Sequence, residues 1–114
     1  MNAQPKKVRE ILTIVGGEIL VGSPEVEVIG CYVGDLLSDV LANARPGVLW
    51  ITIQTHRNIV SVASMKDIPV ILVSRNRRAD TQTLAEAEDA GITIATTALT
   101  SYEAAGKLWE AGLR

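Results

Sequence analysis

An α/β fold, with a small and mainly parallel sheet between flanking helices, is what this chain predicts, and three observations predict it. Short apolar runs occur near residues 48–53, 69–73 and 92–96. The first, Val48-Leu49-Trp50-Ile51-Thr52-Ile53, shows no polar alternation, the pattern of a strand buried on both faces. Segments with helix signals follow each run, near 57–66, 81–90 and 101–111. Such strand–helix alternation implies parallel pairing through right-handed crossovers. An N-terminal helix and a pair of strands are expected to extend or cover one edge of that sheet. No linker, repeat or low-complexity segment divides the 114 residues, so residues 1–114 read as a single domain.

Val8, Ile11, Leu12 and Val15 fall at i, i+3, i+4 and i+7, the apolar stripe of a short helix. Pro5 lies near its start, and Gly16-Gly17 ends it. Residues 18–21 and 25–33 are rich in β-formers and are separated by Gly22-Ser23-Pro24. They read as two strands, with a hairpin as one way to pair them. In the second, Val26, Val28 and Gly30 alternate with Glu25, Glu27 and Ile29, which suggests one wet face. A helix is expected over about 35–44, capped by Asp35 and burying Leu36, Leu37, Val40 and Leu41; Arg45-Pro46-Gly47 stops it. Thr83 with Glu86, and Thr100 with Glu103, fit capping boxes for the last two helices, and Gly91 fits a C-terminal stop. The final helix is expected to bury Tyr102, Ala105, Leu108 and Trp109.

Composition narrows the function. About half of the chain is apolar, ample for one core, and with no Phe that core must be built from Val, Ile, Leu and Ala. A net charge of −2 and no evident basic face argue against nucleic acid as a partner. The apolar runs are far shorter than the ~20 residues of a membrane-spanning helix, and MNAQPKKVRE lacks the apolar core of a signal peptide. Cys31 is the single cysteine, which excludes an internal disulfide and fits a reducing, cytoplasmic setting. It reads as a buried, inert thiol. No phosphate-binding P-loop, dinucleotide Gly motif, nucleophile elbow or zinc ligand set is present, so no catalytic residue, metal or cofactor is assigned.

Polar residues just past a buried parallel strand sit where open α/β sheets bind ligands. Gln54, Thr55, His56, Arg57 and Asn58 follow the first such strand, and Ser74 and Arg75 open the segment after the next. A loop entering a helix presents free N–H groups and a positive dipole end to an anion. Arg57 suits a phosphate or carboxylate, and His56 can donate a hydrogen bond or change charge. If the two strands are parallel neighbours, Arg57 and Arg75 would converge into a basic mouth. The alternative is equally concrete: Thr55 or Asn58 caps the helix, His56 and Arg57 lie in solvent or at a subunit contact, and residues 74–78 form a solvated loop. Asp35 reads as a cap that shares this edge.

From Gly47 onward the pattern resembles a DRTGG domain, a module named for an Asp-Arg pair after one buried strand and a Thr-Gly-Gly after the next. His56-Arg57 stands in place of the Asp-Arg, and Ser74-Arg75-Asn76 in place of the Thr-Gly-Gly. ADTQTLAEAEDAGITIATTALTSYEAAGKL is similar to the family's continuation. VREILTIVGGEILVG and VIGCYVGDLLS resemble its N-terminal part. Only Arg57 survives from the named motif, and loss of Gly-Gly removes the freedom for close backbone approach. Such domains occur beside CBS domains in pyrophosphatases, in long phosphate acetyltransferases and, in related form, at the N-terminus of HPr kinases, with the catalytic machinery in the partner domain. The resemblance implies a non-catalytic regulatory module that self-associates, as a dimer, and binds a nucleotide or other small anionic ligand. A purely structural dimerisation or interaction module is the alternative reading, and an enzyme using His56 as acid or base is a third.

Overall fold

The computed structural model describes residues 4–114; the first three residues of the N-terminal segment read above lie outside them. The chain runs through β1 (Lys6–Lys7), α1 (Val8–Val15), β2 (Glu18–Val21), β3 (Glu27–Val28), β4 (Cys31–Val33) and α2 (Leu37–Asn43). It continues through β5 (Leu49–Thr52), α3 (Asn58–Met65), β6 (Val70–Val73), α4 (Thr81–Ala90), β7 (Thr93–Thr96) and α5 (Ser101–Glu110). The main sheet has the order β2-β7-β6-β5-β4, with β4 to β7 parallel and β2 antiparallel to β7. β1 and β3 pair separately as a small antiparallel ladder.

Since β4, β5, β6 and β7 lie side by side in chain order, crossovers of one hand must all land on one face. α2, α3 and α4 do so, packing Val40, Ile59, Ala63 and Ala87 onto Trp50, Ile71, Val73 and Ile94. The opposite face is covered by α1 and α5, whose Val8, Ile11, Ala104 and Leu108 meet Leu49, Ile51, Leu72 and Ala95. Every residue of β5, β6 and β7 is therefore buried, as the unalternating apolar runs predict. No helix among the described residues is long and apolar enough to cross a membrane.

Local chemistry explains most boundaries. Gly16 and Gly91 end α1 and α4 in the left-handed conformation, with φ of 68° and 72°, where a side chain would be strained. Thr100 and Glu103 form the expected reciprocal cap on α5. α4 is capped one turn earlier than the Thr83 pattern suggested: Asp80 Oδ1 accepts from the Thr83 N–H at 2.8 Å. The residue before the Thr-rich start wins because an ionised carboxylate is the stronger acceptor for helix-end donors.

Four expectations are corrected. Residues 18–33 do not form a hairpin or a strand pair at one edge. β2 pairs with β7 at one side of the sheet, while β4 pairs with β5 at the other. The 25–33 segment breaks at Ile29-Gly30 into β3 and β4, because its first half pairs with β1. Asp35 does not cap α2; Leu36 holds that position. On α2 and α5 the buried stripes are narrower than their apolar residues suggested: Leu36, Leu41, Tyr102 and Trp109 are exposed. Cys31 is half-buried, and loss of solvent pushes its thiol up to about 12, so it stays protonated at neutral pH.

Leu72 is fully buried at the centre of the sheet. Its substitution Leu72→Ala is expected to destabilise the protein by about 2–5 kcal/mol in denaturant unfolding.

Candidate functional site

β5 and β6 pair in parallel with Thr52 opposite Val73, so the segments that follow them leave from the same rim. The Ser74 N–H donates to the Thr52 carbonyl at 3.0 Å, which extends the ladder one step into that rim. The rim is bordered by the carboxyl ends of all four parallel strands, the position at which open α/β sheets bind ligands.

Residues 54–58 form a self-braced turn. Thr52, buried at the strand end, donates to Asp35 Oδ1 at 2.9 Å, and the Ile53 N–H donates to the same oxygen at 2.8 Å. The half-buried Gln54 donates through Nε2 to the Asp35 carbonyl. Asp35, read as a helix cap, thus clamps the β4–α2 connection to the end of β5. The ring of the exposed His56 does the capping of α3, its Nδ1 accepting from the Asn58 N–H at 3.2 Å. Nδ1 as acceptor puts the ring proton of neutral His56 on Nε2. The Ile59 and Val60 N–H groups are taken by the His56 and Arg57 carbonyls. Among the described residues this leaves the amides of residues 55–57, with half-buried Thr55, as the open donors of the turn.

Arg57 lies at the N-cap of α3 and reaches Glu86 on α4 at 3.8 Å, an exposed pair of small energetic weight. The two residues line a groove of about 620 Å³ with Asn58, Val60, Ser61 and Ser64, between α3 and α4. Asp80 is held below its usual value, chiefly by the Thr83 N–H and further by the positive fields of His56 and Arg57. The mouth is therefore of mixed charge, with Asp80 and Glu86 set against Arg57.

The second segment is a tight turn. Arg75 and Asn76 have φ of 59° and 57°, and the Arg77 N–H returns to the Ser74 carbonyl. Two successive residues at positive φ define a type I′ turn, which glycine adopts without cost. Ser74 is buried, its Oγ 2.8 Å from Ser101 Oγ, so its side chain braces α5 and does not face solvent. The Arg75 N–H donates to Leu99 and the Asn76 N–H to Thr97. Thr96 Oγ1 donates to the Arg77 carbonyl at 2.7 Å. The chain after β6 leads to one face of the sheet and the chain after β7 to the other, so a crevice is due between these two strands. Residues 74–77 close it with their own backbone, while the side chain of Arg75 stays exposed.

All seven predicted residues thus lie on one rim. Arg57 is engaged toward α4, and the Arg75 turn is tied to the β7–α5 connection. The rim residues that sequence reading missed are Thr96, Thr97 and Ser101. The signal for the two threonines was the Thr-Thr step ending an apolar strand, polar residues that must find partners when buried. Among the described residues no group of three or more His, Cys, Asp or Glu side chains could hold a metal ion.

A three-layer α/β domain with an internally braced rim is the class that this geometry defines. No family model and no curated protein matches the chain. Among solved structures it is similar to the CBS and DRTGG domains of the regulatory region of Clostridium perfringens pyrophosphatase, a complex with the activator diadenosine tetraphosphate. The TM-score is 0.75 at 14% identity, over 90% of this chain and 45% of the other. The two share the fold, and this chain spans less than half of that regulatory region.

Asp80, with its depressed pKa, contributes stability that is present above the unfolded carboxyl value and lost as pH falls through the folded one. Thermal unfolding followed from neutral pH down to below pH ~4 should show Tm falling in the acid range. Asp80→Asn, which keeps a capping oxygen without the charge, should flatten that fall.

Proposed function

We propose that this chain is a non-catalytic regulatory domain of the DRTGG kind, acting as one unit in the cytoplasm, that self-associates and binds a small anionic ligand at the carboxyl rim of its sheet. The single observation that carries the ligand half is the shared rim itself. In-register β5 and β6 bring residues 54–58 and 74–75 to one edge, which carries the open amides before α3 together with Arg57 and Arg75. Backbone donors and a helix N-terminus favour phosphate or carboxylate groups, and the guanidiniums of Arg57 and Arg75 add charge-assisted donors. Gln54, Thr55, His56, Asn58 and Ser74 shape and brace that edge. A nucleotide is the favoured class because the structural neighbour is complexed with a dinucleoside polyphosphate activator and belongs to a regulatory region. The two residues standing for the family's Gly-Gly keep a backbone shape that Gly-Gly would take freely.

A thermal-shift screen with adenine nucleotides, dinucleoside polyphosphates and phosphorylated metabolites tests this. A concentration-dependent rise in Tm with at least one of them is expected; no shift with any would defeat the ligand half. Arg57→Ala should weaken that binding roughly tenfold or more, the loss of one charge-assisted contact. Arg75→Gly is the cleaner variant, since it relieves a strained φ. It should leave stability unchanged or raise it by up to about 1 kcal/mol while still weakening the ligand.

A further inference from the structure

The groove between α3 and α4 is not a plain anion pocket. Its lining carries one positive and one negative side chain, Arg57 and Glu86, 3.8 Å apart. They are 56% and 42% exposed, so burial locks neither in place. α3 bears no charged residue of its own. The two acids of α4 and its cap are engaged differently. Asp80 gives a carboxylate oxygen to the Thr83 N–H at the start of α4. Glu86 serves no backbone donor, and Arg57 is the one ion-pair or hydrogen-bond partner of its carboxylate among the described residues.

That pairing bears on any ligand of the rim. An anion that takes the Arg57 guanidinium must displace Glu86 and then lie beside its negative charge. An exposed pair of this kind is worth up to about fivefold in an equilibrium. A bare anion meets the repulsion with nothing in return. A phosphate that continues into a body carrying hydroxyl or amino groups gives the released carboxylate a donor, and hydrogen bonds to a charged acceptor are the stronger ones. The groove has room for such a body. From Arg57 to Ser64 it follows α3 for about 10 Å. Its volume of about 620 Å³ lies within the range of small-molecule sites, about 300–1,000 Å³. On the α3 side, the side chains of Asn58, Ser61 and Ser64 have no protein partner among the described residues.

We infer that Glu86 is the specificity-determining residue of this rim: it makes a bare inorganic anion a poor ligand and favours a phosphate joined to a hydroxyl-bearing body, such as the sugar of a nucleotide, which lies in the α3–α4 groove with its hydroxyls on Glu86. This rests on the ligand half of the function proposed above and adds the group that sorts ligands of equal charge. Arg57 takes the phosphate and Glu86 takes the sugar. Neutralising Glu86 removes the repulsion of the bare anion and the acceptor for the hydroxyls together, so the preference narrows from both sides. Glu88, exposed on α4 and outside the groove lining, offers the same change of net charge without the contact.

The test is titration of the full chain with inorganic phosphate and with ribose 5-phosphate, followed by NMR at the backbone amides of residues 54–64. Wild type should bind ribose 5-phosphate more tightly than phosphate. Glu86→Gln should tighten phosphate by up to about fivefold and weaken ribose 5-phosphate, so that the preference falls roughly tenfold. Its Tm should match wild type, because an exposed pair contributes little to stability. Glu88→Gln should keep the wild-type preference. On an Arg57→Ala background, Glu86→Gln should no longer tighten phosphate. An equal preference in wild type and Glu86→Gln, with both probes bound, overturns this role and leaves the ligand half standing. A preference lost equally in Glu88→Gln assigns it to net charge and overturns the role too. No response of these amides to either probe, in wild type and in Glu86→Gln, also overturns it, and the thermal-shift screen then decides the ligand half separately.

Discussion

Four parallel strands laid side by side in chain order are the constraint on which the rest depends. Crossovers of one hand then place α2, α3 and α4 on a single face. The opposite face of Leu49, Ile51, Leu72 and Ala95 is left to be covered by something else. α1 and α5 supply that cover, one before the parallel unit and one after it. The same constraint sends the chain after β6 and the chain after β7 to opposite faces. That divergence is where a crevice is due, and the chain fills the place with its own turn at 74–77.

The rim is organised by strand-end polar groups more than by its arginines. Thr52 joins Asp35 to β5, while Thr96 and Thr97 join β7 to the β6–α4 turn and to the end of α1. Each lies in a dry strand end, where an unpaired hydroxyl would be costly. Satisfying them ties three connections into one frame, and the exposed His56, Arg57 and Arg75 stand on it. A ligand at this edge would meet a backbone already held in shape, which lowers the ordering cost of binding.

Much of this was legible in the sequence, for identifiable reasons. Unalternating Val/Ile/Leu runs have no stable home except a strand covered on both sides, so β5 and β6 were readable, and with them the shared rim. Gly16, Gly91 and the Thr100–Glu103 pair act within one helical turn, and their effects were equally readable. The errors came where partners are distant in the chain. Nothing in residues 18–33 says that β2 belongs beside β7, some seventy residues on, and β4 beside β5. A hairpin satisfies the same local pattern. Asp35 looked like a cap because its long-range partners, Thr52 and Ile53, are invisible to local reasoning. Leu36, Leu41, Tyr102 and Trp109 looked like core because apolar periodicity does not distinguish a packed face from one left exposed.

By itself, then, the order of residues determined the element types, the parallel pairing and the edge on which His56, Arg57 and Arg75 stand, since each follows from periodicity, capping or crossover hand. Tertiary structure alone decided which strands form the borders of the sheet, which polar groups clamp the rim, and which apolar side chains remain outside. Those outcomes depend on contacts between segments far apart in the chain, and such contacts leave no local trace.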